Sequence, residues 1–365
     1  MSYMNHKRLN KKIVYIYYLT ESVNEGGMAR NKAFYETFND LRAKMFNIYT
    51  KHTLARFLIS FKALILLLFI RNKTVFIHQG ALLFLFSMVL LRIVFFRKII
   101  FCLLNKVSKN NKLVIEINDL IYEQSIDLEL KVDEIFKILQ KNIFAIKDCN
   151  YIFASNEMES YVISKYSIQS KNSSVIVNGA PKVKDYSRTI KNEKWMDCNK
   201  NKFVYAGSLN KGRQIEDLLN VFTGQENSLL IILGNEGEWL NNVELSENII
   251  YLGNYEESVA HYIVSKCDIG IIPYKADRLY YNLCFPTKVS FYLTAGLPIL
   301  STPLNELQNV FGDKGVFMFS PFTEWVKVIK DMNNITVFNM KQRVNDIKEE
   351  YYWKSLMSKI KLWNY

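Results

Sequence analysis

The chain has 365 residues, 49% of them apolar and 14% aromatic, and a formal net charge of +12. That length exceeds one typical core and fits two domains of roughly 150–200 residues, and the apolar content excludes a disordered or low-complexity chain. Five cysteines with no C-x-x-C pair and four histidines without metal-ligand spacing exclude a disulfide frame and a zinc site, and are expected to belong to a reduced, cytoplasmic protein.

In chain order, the first half alternates short β-like runs with helical stretches. Strands are predicted at Lys12–Tyr18, Lys44–Tyr49, Thr74–His78, Lys112–Ile117, Tyr151–Ala154 and Ser174–Val177. Helices are predicted at Met28–Asp40, His52–Arg71, Ala81–Lys106, Asp127–Ile146 and Ser155–Tyr166. Alternation at this spacing predicts an α/β protein with a parallel, doubly wound sheet. The polar stretch Asn178–Lys202, with Gly179 and Pro181, reads as a linker, and a second alternating series follows from Phe203 to about Met332. The closing stretch, roughly Thr336–Leu362, reads as helix. The division expected is therefore residues 1–185, 186–335 and a terminal helical segment 336–365. Lys7, Arg8, Lys11 and Lys12 are followed only by the short run Ile13–Tyr18, which does not suit a signal peptide.

Charge is unevenly spread. Residues 1–190 hold 28 Lys/Arg against 15 Asp/Glu, and no acidic residue occurs between Leu41 and Ile115. The same stretch carries thirteen cations, among them Lys62, Arg71, Lys73, Arg92, Arg97 and Lys98, interleaved with runs such as Leu64–Ile70 and Leu82–Phe86. A spanning helix needs about 18 uninterrupted apolar residues, and Lys62 and Arg92 interrupt the two runs. Nucleic-acid binding fits poorly, because the cations sit among Leu, Ile and Phe. Burial over a sheet accounts for much of the apolarity but not for the missing acids. A face lying on an anionic membrane surface is expected, with no nucleic-acid partner.

The segment Asn282–Leu300, NLCFPTKVSFYLTAGLPIL, carries the strongest functional signal. Pro286 suits the first helical position, and Thr287 and Lys288 fall in the first turn. The run Val289, Phe291, Tyr292 and Leu293 follows, and Ala295-Gly296-Leu297-Pro298 stops the helix before Ile299-Leu300. A helix start carrying a hydroxyl and a cation suits phosphate, although the same residues also serve as an ordinary cap with a surface lysine.

Together with Cys267–Tyr274 upstream, this stretch resembles the nucleotide-sugar-binding domain of GT-B glycosyltransferases of the group 1 type. Val204-Tyr205-Ala206-Gly207-Ser208-Leu209 with Arg213 resembles the opening of that domain, Ile231–Gly234 its second strand and turn, and Ile250–Asn254 its third. The resemblance implies two Rossmann-like domains facing a central cleft, and a closing helix that carries an aromatic such as Trp353 and crosses back to the first domain.

The resemblance also implies roles. Arg213 and Lys288 would neutralise charge on a departing nucleotide diphosphate. Gly207, Ser208, Gly234, Gly253, Asn254, Pro286, Thr287 and Tyr292 would line the donor site. In the first half, Gly26 and Gly27 would form an acceptor-side loop, and His78 and Asp119 would act near the transferred sugar. Two departures stand out. Phe291 occupies the position of a ribose-gripping glutamate, leaving that contact to Tyr292 or the backbone, and Asn118 replaces a histidine. No D-x-D occurs, so the reaction is expected to need no metal and no cofactor.

The expected function is transfer of a sugar from a nucleotide diphosphate donor, UDP-linked, to a lipid-linked glycan acceptor, with retention, in bacterial surface-polysaccharide synthesis. The expected location is cytoplasmic, on the inner face of the plasma membrane. The alternative is a non-catalytic partner of another transferase with the same fold, favoured by Phe291 and Asn118.

Overall fold

The computed structural model describes residues 12–20, 26–50, 52–188, 190, 193–210 and 213–361. Glu25, at the start of the expected acceptor-side loop, and Leu362, at the end of the expected closing helix, lie outside them. The chain divides into two units, one of residues up to Val177 together with those from Met357 onward, the other Asn178–Leu356.

The first unit contains β1 (Ile13–Tyr17), α1 (Gly26–Asp40), β2 (Lys44–Asn47), α2 (Thr53–Phe69), β3 (Thr74–His78), α3 (Gln79–Leu85), α4 (Met88–Arg92), α5 (Val94–Asn110), β4 (Lys112–Ile117), α6 (Ile121–Asp127), α7 (Glu134–Phe144), β5 (Asn150–Phe153), α8 (Asn156–Tyr166) and β6 (Ser173–Val175). The strands pair in parallel in the order β2-β1-β3-β4-β5-β6. All residues of β1 and β3 are buried, as expected of strands covered by helices on both faces. The order reverses between β1 and β3, so a crevice opens at the carboxyl ends of these two strands.

The long helix expected over Ala81–Lys106 is broken into three pieces. Ser87 takes a left-handed backbone (φ 57) and Ile93 is extended, which turns the chain so that Leu85, Phe86 and Leu91 are all buried. Helix α6 was not foreseen. Its N-cap is Leu120, directly after Asp119.

Helices α2 and α5 bury only one stripe each, Ala63 and Leu67 on α2 and Ile100, Leu104 and Val107 on α5. Many of their remaining apolar residues are exposed: Leu54 72%, Phe57 64%, Phe61 52%, Phe69 78% and Phe95 67%, with Val89 on α4 at 68%. Burial therefore accounts for only part of the apolarity of this acid-free stretch. Among the described residues, no helix is long and apolar enough to cross a membrane.

The second unit contains β7 (Asn201–Ala206), α9 (Ile215–Phe222), β8 (Ser228–Leu233), β9 (Ile249–Tyr251), α10 (Glu257–Val264), β10 (Ile269–Ile272), α11 (Leu279–Leu283), α12 (Thr287–Thr294), β11 (Ile299–Ser301), α13 (Asn305–Phe311), β12 (Phe317–Phe319), α14 (Trp325–Asp331) and α15 (Asn334–Ile347), and α16 (Trp353–Lys361) begins in it. Its sheet is also parallel, in the order β12-β11-β10-β7-β8-β9. Ile215, Leu218 and Phe222 of α9 pack with Phe203, Ile232 and Trp325 in its core. Each such buried side chain is worth about 1.5–3 kcal/mol. Here the strand order reverses between β7 and β10, and the crevice lies beyond Ala206 and Ile272.

The polar segment after Val177 does not run free. The Asn178 amide donates to the Phe285 carbonyl at 2.8 Å, and Ala180 N–H donates to the Tyr351 carbonyl at 3.0 Å. Gly179 is pressed against Trp353 and Leu356, leaving no room for a Cβ. Asp268, just before β10, accepts from Lys202 N–H and pairs with Lys341 at 2.7 Å, which ties α15 to β10. Burial works against the ionised Asp268 carboxyl, but Lys341 and Lys202 hold its pKa below the usual range.

Candidate functional site

The second unit's site starts with glycines at strand ends. Gly207 follows β7 with φ 142, Gly234 follows β8 with φ 149, and Gly253 lies beyond β9 with φ 82. Gly207 N–H donates to the Leu233 carbonyl at 3.0 Å and Gly234 N–H to the Gly253 carbonyl at 2.9 Å, linking the three turns in series. A Cβ on Gly234 would fall on the backbone carbonyl of Gly207, and one on Gly207 would fall on the end of Lys288. Two closely packed turns thus leave a hollow that the Lys288 ammonium enters.

Lys288 is placed there by α12. Pro286 is the N-cap rather than the expected first helical residue, so Thr287 opens the helix and Lys288 is its second residue. At the other end, Gly296 N–H bonds to the Leu293 carbonyl (2.9 Å) and Leu297 N–H to the Tyr292 carbonyl (3.0 Å). This double closure with Gly296 at φ 86 ends the helix as the AGLP sequence predicts.

Four tyrosines surround the cations. Lys288 Nζ donates to the Tyr274 hydroxyl at 3.1 Å and lies 4.8 Å from the Tyr205 ring centroid. The Arg213 guanidinium lies 5.7 Å from the Tyr274 ring centroid and donates to Tyr281, 3.5 Å away. Tyr281 stacks on Tyr274 at 4.5 Å and is itself in contact with Tyr280. Among the described residues, no carboxylate pairs with Lys288 or Arg213. Burial would weaken the charge of Arg213, but Tyr274, Tyr281 and Tyr205 more than offset this and raise its pKa. Two half-buried cations bounded by hydroxyls and ring faces form an anion site without an internal counter-ion.

The other expected donor residues sit as follows. The Ser208 hydroxyl donates to the Glu236 carboxylate, and Ser208 O accepts from Tyr205. Asn254 is exposed. Tyr292 corrects an expectation. It is fully buried, its hydroxyl accepts from Ala206 N–H at 2.9 Å and donates to the Ile271 carbonyl at 3.4 Å, and it fills the space left by Gly270. It braces β7 against β10 and is closed to a ribose. Phe291, at the position expected for a carboxylate, stacks on His261 at 4.4 Å. His261 donates to the Phe291 carbonyl, and burial lowers its pKa to about 4, so it is neutral at pH 7.

In the first unit, Gly26 and Gly27 are the first two residues of α1, where a loop was expected. His78 ends β3 as the N-cap of α3. Its Nδ1 accepts from Gly80 N–H at 3.0 Å, so the proton sits on Nε2, which faces Glu116 Oε2 at 3.2 Å. Glu116 accepts from Arg30 Nε at 2.5 Å, and Arg30 Nη1 donates to the Ile176 carbonyl at 2.7 Å. All three side chains are almost wholly buried. Burial and Arg30 lower the His78 pKa against the pull of Glu116, so His78 is neutral and serves as cap and partner to an ion pair. A role near the transferred sugar was expected of it; its ring is instead buried between Gly80 N–H and Glu116. Asp119 lies just beyond β4, half-buried, and accepts from Asn118 at 3.2 Å.

Sequence reasoning missed Tyr205, Tyr274 and Tyr281 around the cations, and the Arg30–Glu116 pair. Tyr274 carried a signal, since a tyrosine directly after a strand-ending proline stands at the crevice. Arg30 and Glu116 carried none, because a buried pair 86 residues apart in sequence leaves no local pattern.

No protein-family model matches the chain, and no curated protein sequence matches it. Solved structures do match. Anabaena HepE in complex with UDP has a TM-score of 0.64 at 10% identity, over 96% of this chain and 98% of its own. WaaG, a glycosyltransferase involved in lipopolysaccharide biosynthesis, has a TM-score of 0.59 at 10% identity, over 95% of this chain and 98% of its own. A chain of the GtfA/B complex has a TM-score of 0.56 at 12% identity, over 83% of this chain but 59% of that one. The chain thus has the GT-B glycosyltransferase fold, as its motifs implied.

Proposed function

We propose that the protein is a glycosyltransferase that moves a sugar from a UDP-linked donor to a lipid-linked glycan acceptor, in bacterial surface-polysaccharide synthesis. The observation that carries this reading is the Lys288–Arg213 pair, without a carboxylate partner among the described residues, at the strand ends where this fold binds ligands. As the sugar leaves, negative charge grows on the nucleotide diphosphate, and two fixed cations stabilise that charge without reorganising. In this reading Gly207 and the start of α12 receive the phosphates, the cations take the place of a metal ion, and Asp119 binds a sugar hydroxyl. HepE has been solved with UDP and with UDP-glucose, which supports the choice of donor. Metal independence rests on the cation pair. Retention of configuration and hexosyl transfer rest on the resemblance.

The acceptor's lipid is inferred from α2, α4 and α5. Their exposed Phe57, Phe61, Phe69, Val89 and Phe95 lie on an acid-free stretch with Lys62, Arg97 and Lys98, whereas Arg92 is paired with Asp133. Apolar side chains dipping between headgroups and cations at an anionic surface give peripheral attachment on the inner face of the membrane. Phe291 stacked on His261 is the one observation that favours a non-catalytic partner instead, and turnover separates the two readings.

The test is calorimetric titration with UDP and an assay of sugar transfer, using wild type, Lys288→Ala and Arg213→Ala. Each variant is expected to fold, to bind UDP more weakly, and to lose about 100- to 1,000-fold in turnover, as when one charge-stabilising donor is removed. Unchanged UDP affinity in both variants would overturn the site.

A further inference from the structure

The two cations of the strand-end site share one neighbour, Tyr274. It follows Pro273 just beyond β10 and is 6% exposed, with Tyr281 stacked on its ring. Lys288 approaches its hydroxyl, donating at 3.1 Å, while the Arg213 guanidinium approaches the ring, 5.7 Å from the centroid. Thr302 Oγ1 donates to its carbonyl, which anchors its backbone to the segment after β11. A lysine stem has four rotatable bonds, and like charges repel, so an empty site would lose Lys288 to solvent unless something held it. A phenol hydroxyl accepts from an ammonium, and a phenol ring face attracts a guanidinium.

We propose that Tyr274 is the positioning residue of the diphosphate site: it holds Lys288 and Arg213 in their binding arrangement while no anion is present, and keeps its bond to Lys288 while the other ammonium protons turn to the phosphate oxygens when nucleotide enters. This rests on the reading of the site given above. Burial by itself would raise the phenol's pKa, yet Lys288 and Arg213 together bring it below the usual tyrosine value, so both fields converge on that hydroxyl. A phenol oxygen takes one of the three ammonium protons and leaves the others for an anion, whereas a carboxylate in a salt bridge would compete with that anion for the site. That suits a site which must exchange its anion at every turnover.

The experiment titrates the full chain with UDP and, separately, with inorganic pyrophosphate, using wild type, Tyr274→Phe, Tyr274→Leu, Lys288→Ala and Arg213→Ala, and records each melting temperature. Tyr274→Phe keeps the ring and loses the hydroxyl. It is expected to melt as wild type does and to bind both probes up to about tenfold more weakly, because the freed Lys288 side chain must then be ordered on binding. Tyr274→Leu loses the ring as well and is expected to fall about a further tenfold. If Tyr274→Phe binds both probes like wild type while the cation variants lose binding, the site stands and Tyr274 is only core. The proposal is equally overturned if Tyr274→Phe melts lower with unchanged affinity, or weakens UDP but not pyrophosphate. If the cation variants bind UDP like wild type, the site itself falls.

Discussion

Alanine at Gly207 and alanine at Gly234 should fail in different ways, although both glycines take positive φ and the two are in contact. At Gly207 the new methyl meets the Lys288 ammonium and its neighbouring carbon, the free end of a flexible side chain. Lys288 can swing aside, so the stability cost is that of a non-glycine residue in a forbidden backbone region, about 1–3 kcal/mol. The functional cost is larger. With Lys288 displaced, UDP affinity should fall roughly 10- to 100-fold, the range for losing a hydrogen bond to a charged group. At Gly234 the methyl overlaps the Gly207 carbonyl oxygen, and that backbone is pinned by the bonds from Gly207 to Leu233 and from Gly234 to Gly253. Nothing there can give way cheaply, so the loss should exceed about 4 kcal/mol and unfold the second unit. Urea unfolding gives the two stabilities, and calorimetric titration with UDP gives the affinity of the Gly207→Ala variant. A Gly207→Ala protein that binds UDP as wild type does would refute the claim that this turn seats Lys288. A Gly234→Ala protein within about 1 kcal/mol of wild type would refute the packing of the two turns.

Sugar transfer should persist in excess EDTA, and loss of activity reversed by Mn²⁺ or Mg²⁺ would overturn the metal-free reading. The protein should sediment with anionic vesicles and not with neutral ones, at about 1 kcal/mol per cation near the surface. Replacing Lys62, Arg97 and Lys98 by Gln should release it in salt, and replacing Phe57, Phe61 and Phe95 by Ser should abolish the salt-resistant part; equal indifference to both vesicle types would reject the membrane face. Glu116→Ala should destabilise the first unit by about 3–5 kcal/mol in urea unfolding, because it leaves the Arg30 guanidinium buried without its carboxylate; a loss below about 1 kcal/mol would show that the pair contributes little.

The alternation of β-runs with helices was readable because parallel strands covered on both faces are continuous apolar runs, as in Ile13–Tyr17 and Ser228–Leu233. The donor-side motif was readable because its parts are local: a proline before a helix, a lysine in its first turn and a glycine after its end. The Ser87 and Ile93 breaks were not readable, since neither residue is a usual helix breaker and the turn is set by burying Leu85, Phe86 and Leu91. Tyr292 was misread because one tyrosine in the second turn of a glycine-terminated helix suits ligand or core equally. Only Gly270, opposite it on β10, decides for the core, and that pairing is tertiary. His78 was misread for the same reason, its fate depending on a glutamate 38 positions away.

The Arg30 guanidinium also bears on how the chain is made. Two of its hydrogen bonds join residue 30 to residues 116 and 176, separations of 86 and 146 along the chain. A ribosome emits the N-terminus first, so Arg30, Phe34 and the exposed apolar helices of residues 53–110 are all synthesised well before residue 176 appears. Until then the guanidinium has its Glu116 carboxylate but lacks the Ile176 carbonyl, and the first sheet cannot close over it without burying an unmet donor. The topology therefore delays the final locking of the first unit until about half the protein has been translated, during which its apolar helices are exposed to chaperone or membrane.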